Sequence, residues 1–317
     1  MIINTGSRTD IPAYYSEWFM NRIREGYIMA RNPFYPSQVL RYTLDPSVVD
    51  CLVFCTKNPK PMLKYIDELI EFNQFWFVTI TPYAKDIEPN VIDKHEVIEV
   101  TKELSKKLGK NCVSVRYDPI FINDKYDKAY HKRAFRKIIS ELDGYIEEVV
   151  ISFIDLYKKT IKNFKEVKEV SYSDQLELVK EFVGITKEHN MELRTCLENK
   201  EFEKYGVNIS GCMSQDVIER AIKEKLIIKK DIKTREGCEC LLGNDIGAYN
   251  TCGHLCKYCY ANYDAKIVRE NMKKHDKHSP LLIGNIKEGD TIKEVKQTSW
   301  IDKQIRLDIW LWRKIYY

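Results

Sequence analysis

The sequence predicts an α/β protein, a (β/α) barrel or partial barrel, and three observations carry that prediction. Short apolar, β-branched or aromatic runs recur along the chain, longer amphipathic stretches separate them, and each run finishes in polar or charged residues. Parallel strands crossed over by helices give that alternation. In a (β/α) barrel the C-terminal strand ends share one mouth, where ligands sit.

In chain order, Met1–Thr5 is the first predicted strand and ends in Ser7-Arg8-Thr9-Asp10. Tyr15–Arg24 then spaces its apolar residues by three and four, the helical period. Cys51–Thr56 is an apolar strand ending in Thr56-Lys57-Asn58, and Pro61–Phe72 reads as the next helix. The strand Phe75–Thr81 leads to Thr81 and Tyr83, and the helix Val91–Leu108 follows. Cys112–Tyr117 ends in Arg116 and Asp118, Glu148–Phe153 in Ser152 and Asp155, and Met191–Thr195 in Arg194 and Thr195. Helices are predicted over Tyr130–Leu142, Ser173–His189 and Ser214–Glu224, with Ser173 and Ser214 as N-caps ahead of early acidic residues. A further strand is predicted at Asp245–Tyr249.

Composition sets bounds on function. The 317 residues suffice for one barrel-sized core, and 44% hydrophobic with 31% charged residues is ordinary for a globular protein. Lys and Arg number 51 against 47 Asp and Glu, a net charge of +4 that gives no argument for nucleic acid or an anionic membrane. The N-terminus lacks the pattern of a secretory signal, and no apolar run reaches the ~18 residues of a membrane span, so a cytoplasmic location is expected. In a reducing compartment the ten cysteines read as metal ligands, reactive thiols or core residues rather than disulfides. Cys51, Cys55 and Cys112 fall in apolar strands and are expected in the core.

The chemistry concentrates near the C-terminus, where Cys252, Cys256 and Cys259 form a CxxxCxxC loop with Tyr258 just before the third cysteine. A [4Fe-4S] cube usually takes four cysteine ligands, so three from one loop leave an iron with an open coordination site. That spacing is the one used by radical S-adenosylmethionine enzymes, in which the cofactor chelates the open iron and is cleaved reductively. A zinc knuckle completed by His254 is the alternative, but His254 lies inside the three-residue gap, an awkward place from which to close a tetrahedron. Tyr258 could lie against a bound adenine or simply pack the loop.

Cys196, Cys212, Cys238 and Cys240 supply enough thiolates for a second site, read first as an auxiliary [4Fe-4S] cluster, next as structural zinc and last as unliganded thiols. Arg8 with Asp10, Arg116 with Asp118, and Lys57 are candidates for holding the polar groups of a cofactor or substrate; local ion pairs are the competing role.

Ser7-Arg8-Thr9-Asp10-Ile11-Pro12, Arg31-Asn32-Pro33-Phe34, Thr56-Lys57-Asn58-Pro59, Thr81-Pro82-Tyr83, Arg116-Tyr117-Asp118-Pro119 and the run Asp245–Asn262 together resemble a bacterial family known as domain of unknown function 1848. The resemblance implies a radical S-adenosylmethionine type of TIM-like barrel and a cluster on Cys252, Cys256 and Cys259, and it implies no substrate. Two features depart from the wider superfamily. The cluster loop comes last, as though the barrel were circularly permuted, and the Gly-Gly-Glu segment that binds the cofactor's amino group is absent. A permutation would make Gly6–Asp10 a neighbour of the cluster strand, so Arg8 and Asp10 are the expected replacements.

The functional expectation is therefore a [4Fe-4S] enzyme that cleaves S-adenosylmethionine to a 5′-deoxyadenosyl radical, which abstracts hydrogen from a small-molecule or macromolecular substrate. A low-potential donor such as flavodoxin or ferredoxin would supply the electron. The alternative is a non-catalytic iron–sulfur or zinc module, with nucleic acid as a conceivable partner and no membrane. The expected domains are a barrel over residues 1–262, with a cysteine-rich insertion at 196–240, and an extension over 263–317 packing on it.

Overall fold

The computed structural model describes residues 1–228, 238–241 and 243–303. Among them are nine strands: β1 (Ile2–Asn4), β2 (Tyr27–Arg31), β3 (Gln38–Thr43), β4 (Cys51–Thr56), β5 (Gln74–Thr79), β6 (Val113–Ile120), β7 (Glu148–Phe153), β8 (Glu192–Thr195) and β9 (Thr291–Glu294). Six form one sheet in the order β1-β4-β5-β6-β7-β8, with every neighbouring pair parallel. The helices are α1 (Ile11–Tyr14), α2 (Ser16–Glu25), α3 (Lys60–Leu63), α4 (Lys94–Leu108), α5 (Lys128–Glu141), α6 (Lys158–Asn163), α7 (Tyr172–Glu188), α8 (Gln215–Ile222) and α9 (Ala265–Met272). None is long and apolar enough to cross a membrane.

The architecture is thus mixed α/β, with a parallel sheet that does not close into a barrel. Residues alternate between its two faces. Ile3, Leu52, Phe54, Trp76 and Val78 join a core with Trp18 and Phe19 of α2, Val97 and Leu104 of α4, Phe135 of α5 and Phe182 of α7. Ile2, Val53, Phe75, Phe77 and Val150 join a second core with Val217, Ile218 and Ile222 of α8 and with Cys212, Cys238 and Cys240. In a closed barrel opposing strands would bury that second face. Here α8 and the cysteine-bearing segments cover it instead.

Its two edges are covered by single bridges. Beyond β8, Arg194 bridges Asn208, and beyond β1, Asn4 bridges Asp245 in parallel. Backbone bonds from Asn4 N–H to Asn244 O (3.0 Å) and from Ile246 N–H to Asn4 O (3.0 Å) hold the second bridge. The expected strand Asp245–Tyr249 reduces to this contact, and it places the segment before the cysteine loop beside β1.

Several boundaries differ from expectation for local reasons. Pro61–Phe72 divides into α3 and a 3-10 turn, Ile66–Leu69. Ser171, not Ser173, caps α7, accepting the Asp174 N–H at 3.2 Å. Arg194 leaves the mouth altogether: it is buried against Glu148, Glu192 and Asp216 and ties α8 to the sheet.

A three-stranded sheet, β2-β3-β9, is the element the sequence reading did not foresee. β2 and β3 run antiparallel and β9 joins β3 in parallel, so part of the chain after residue 262 is paired with part of the first fifty residues. Trp300 packs against the core and donates its backbone N–H to Asp50 at 2.8 Å. Residues 304–317 of the expected extension, Trp310 and Trp312 among them, lie outside the described residues, as do residues 229–237 of the expected cysteine-rich insertion.

Candidate functional site

The parallel bridge beside β1 delivers Thr251–Asn262 to the C-terminal ends of β1, β4 and β5. Thr251 Oγ1 donates to Ala248 O at 2.6 Å, and Asn250 and Leu255 take left-handed backbone with φ of 59° and 55°, which folds the segment into a tight loop. Partners from distant segments fix it there. Tyr15 Oη donates to Thr251 O (2.6 Å), Asn90 Nδ2 to Gly253 O (2.8 Å), and Lys257 N–H to Ile87 O (3.0 Å). At Gly253 a Cβ would meet the Tyr14 ring at 2.7 Å, so any larger residue would have to displace that ring.

Cys256 is buried and Cys252 and Cys259 are half-buried. Burial raises all three thiols above their ordinary range; Asp10 adds to this at Cys252, Glu88 at Cys256, and the thiols oppose one another's ionisation. Backbone N–H groups work the other way, the Ala261 N–H donating to Cys259 Sγ at 3.3 Å. Three sulfurs from one loop, with N–H donors aimed at them and with mutual repulsion that a cation between them would relieve, are a donor set that fits a metal cluster.

Behind Cys256 stands a charged cluster that the sequence reading missed in part. Glu88 is 1% exposed and accepts from Lys57 Nζ (2.9 Å), Thr81 Oγ1 (2.6 Å), Lys94 Nζ and Tyr258 Oη. Burial pushes this carboxyl up, but Lys57 and Lys94 overcome it and leave its pKa at about 2. Burial likewise opposes the Lys57 ammonium, which Glu88 holds above its ordinary value, whereas burial prevails at Lys94. The group sets two ammonium charges against one carboxylate, and of these the Glu88 carboxylate acts most strongly on Cys256, raising its thiol, with Lys57 opposing it. No local pattern could mark Glu88, because Lys57 and Tyr258 lie 31 and 170 positions away.

The other candidates fall into distinct settings. Asp10 is buried and its oxygens are spent inside the protein, accepting from the Ala13 N–H (3.0 Å), the Lys57 N–H (2.8 Å) and His254 Nε2 (2.8 Å). His254 Nδ1 meets Tyr14 Oη at 3.1 Å, so both ring nitrogens have protein partners. Arg8 lies 3.6 Å from Asp245, reaches the carbonyls of Asp245 and Gly247, stands over the Tyr249 ring, and keeps 20% of its side chain exposed. Arg116 and Asp118 pair at 2.6 Å. The Tyr258 ring is tucked beside Tyr83 and under Lys57 and fastens the loop through Glu88.

Near Asp118 the sequence reading missed Glu198. It accepts from Ser152 Oγ (2.9 Å) and the Phe153 N–H (2.8 Å), and burial, with Asp118 and Asp155 nearby, raises its pKa to about 7. The preceding Leu197 has a φ of 59°, a left-handed conformation between Cys196 and Glu198.

The second cysteine group also assembles. The sulfurs of Cys196, Cys238 and Cys240 lie within 4.8 Å of one another, and Cys212 Sγ is 3.3 Å from Cys240 Sγ. Arg116 Nη1 approaches Cys212 Sγ at 3.8 Å. Hydrogen bonds from Cys212 and Cys240 drive the Cys196 thiol downward, while Cys212 is pushed up to about 12, first by its bond to Cys196.

No curated protein and no solved structure matches the chain. A family model, described as Domain of unknown function (DUF1848), matches residues 2–261 and so takes in the parallel sheet and both cysteine groups. The chain belongs to the DUF1848 family.

Proposed function

We propose that the protein is a radical S-adenosylmethionine enzyme whose cluster is held by Cys252, Cys256 and Cys259. The observation that carries this reading is the CxxxCxxC loop at the C-terminal end of a parallel sheet, next to the strand that opens the chain. The open sheet, with Asp245 bridging β1, agrees with a partial barrel whose cluster-bearing strand comes last. When bound, a four-iron cluster with S-adenosylmethionine supplies one-electron cleavage of the sulfonium bond, and through it hydrogen-atom abstraction from a substrate.

The chain's own residues have the preparatory tasks. Three thiolates carry negative charge into a buried loop; at Cys256 the Lys57 ammonium favours that charge while Glu88, which holds Lys57 and Lys94, opposes it. Tyr258 and Asn90 fix the loop, and Asp10 holds His254 and the Lys57 backbone in place rather than facing a ligand. Arg8, the partly exposed cation at the end of β1, is suited to a cofactor carboxylate. The electron comes from a flavodoxin or ferredoxin type of donor.

Anaerobically reconstituted protein given dithionite and S-adenosylmethionine is expected to release 5′-deoxyadenosine, and Cys256→Ala to abolish that release. Undiminished release by the variant would sink the assignment.

A further inference from the structure

From the second cysteine group we infer a mononuclear metal site: one zinc ion held by the four thiolates of Cys196, Cys212, Cys238 and Cys240. It does not rest on the radical chemistry proposed for the other loop. The spacing of the sulfurs decides between a single ion and a cluster. A tetrahedral ion with zinc–sulfur bonds of about 2.3 Å sets its sulfurs ~3.8 Å apart. The sulfurs of Cys196, Cys238 and Cys240 all lie within 4.8 Å of one another, with Cys240 3.7 Å from Cys196, and Cys212 adjoins this set of three through Cys240, at 3.3 Å, as the fourth ligand. In a four-iron cube each cysteine binds a different iron, so the bonds of the cube hold the ligand sulfurs well beyond a single-ion tetrahedron edge. The favoured expectation of an auxiliary iron–sulfur cluster therefore fits this packing less well than zinc.

Convergence of the sulfurs also separates this arrangement from a disulfide. Cys240 Sγ is near the sulfurs of Cys196, Cys212 and Cys238 together, whereas a disulfide joins one sulfur to one partner. Three chain segments contribute: the end of β8, the turn before α8 and the stretch at residues 238–240. Leu241 N–H donates to Met213 O at 2.9 Å, and Gly211, beside Cys240, takes a φ of 100°, a conformation that favours glycine.

Four thiolates on a divalent ion carry a net charge of about −2, and buried charge of that size needs a neighbour of opposite sign. Arg116, which also pairs with Asp118, approaches Cys212 Sγ at 3.8 Å. With Cys212, Cys238 and Cys240 buried and four protein sulfurs present, the coordination is closed, which is the form of a structural zinc site rather than a catalytic one. The ion would pin the chain just ahead of Asn244 and Asp245, the residues that dock the other cysteine loop on β1.

Metal analysis of the full-length protein, purified anaerobically, tests this. One zinc per chain is expected, retained by Cys256→Ser and lost from Cys240→Ser with no change in iron or sulfide. X-ray absorption at the zinc edge of the unmutated protein provides a readout that does not depend on a variant folding; four sulfur neighbours at about 2.3 Å are expected. Loss of four irons and four sulfides with Cys240→Ser would overturn the inference. So would iron without sulfide at this site, a mixed nitrogen or oxygen shell at the zinc edge, a Cys212–Cys240 disulfide, or protein that neither contains nor takes up zinc.

Discussion

Asn4 and Asp245 face each other in a parallel bridge across 241 positions of sequence, and Asn4 Nδ2 also donates to the Asp245 carboxylate at 3.3 Å. That carboxylate further accepts the Ser7 N–H at 2.7 Å and the Gly247 N–H at 2.9 Å, with Arg8 beside it. One buried side chain thus joins the end of β1 to the segment leading into the cysteine loop. Asp245→Ala is expected to lower stability by about 3 kcal/mol, because it strands these donors and an arginine without their acceptor. Urea unfolding measures the loss. Hydrogen exchange should show the segment around residues 244–251 deprotected before the rest of the sheet; uniform protection would contradict this docking role.

Glu88 gives an acid-side prediction. Its carboxyl is depressed from 4.5 to about 2, so the stability it contributes is complete above about pH 4.5 and is lost as pH falls toward 2. Urea midpoints should therefore fall less steeply between pH 5 and pH 3 in Glu88→Gln than in the parent protein. The substitution also leaves the half-buried Lys57 and Lys94 without their counter-charge, and a cost of about 3 kcal/mol at neutral pH is expected.

Glu198 has the opposite sign. Its pKa is raised from 4.5 to about 7, chiefly by burial and further by Asp118 and Asp155, so the folded state keeps a proton that the unfolded chain releases first. Stability should fall as pH rises from about 4.5 to 7 and change no further above that through this group. Glu198→Gln should flatten that window while leaving the acid window of Glu88 intact. An unchanged slope would mean that Glu198 is ionised throughout.

The contrast between these groups and the strands explains what could be read in advance. Cys51–Thr56 and Glu148–Phe153 were legible to the residue because strands buried on both faces are continuous apolar runs. β2 alternates half-buried and buried positions, and β9, Thr-Ile-Lys-Glu, is exposed throughout, so only pairing with β3 makes it a strand. The cysteines were visible as a spacing and as a count. Glu88 and Glu198 were not, because what distinguishes them is burial and partners gathered from remote segments. Asp10 shows the converse: a polar strand end that looked like a ligand group is occupied by its own neighbours.

Two glycines should respond oppositely to alanine. Gly6 follows β1 where the chain presses on β4, and a Cβ there would lie 2.4 Å from the Cys55 carbonyl oxygen and 2.9 Å from its Cα. Those are largely backbone atoms of a central strand, held by ladders on both sides, so the clash cannot be relieved by a rotamer change. Gly6→Ala should cost at least the ~1–3 kcal/mol of an overpacked core and push Ser7 and Arg8 away from Asp245. Gly184 is an exposed position inside α7, and a Cβ there meets nothing within 4 Å. Alanine at that site restricts the unfolded chain and favours the helix, so Gly184→Ala should raise stability by about 0.5–1 kcal/mol. Urea unfolding of the two variants side by side tests both values; Gly6→Ala as stable as the parent protein would contradict the close approach of β1 to β4 that aligns the cysteine loop with the sheet.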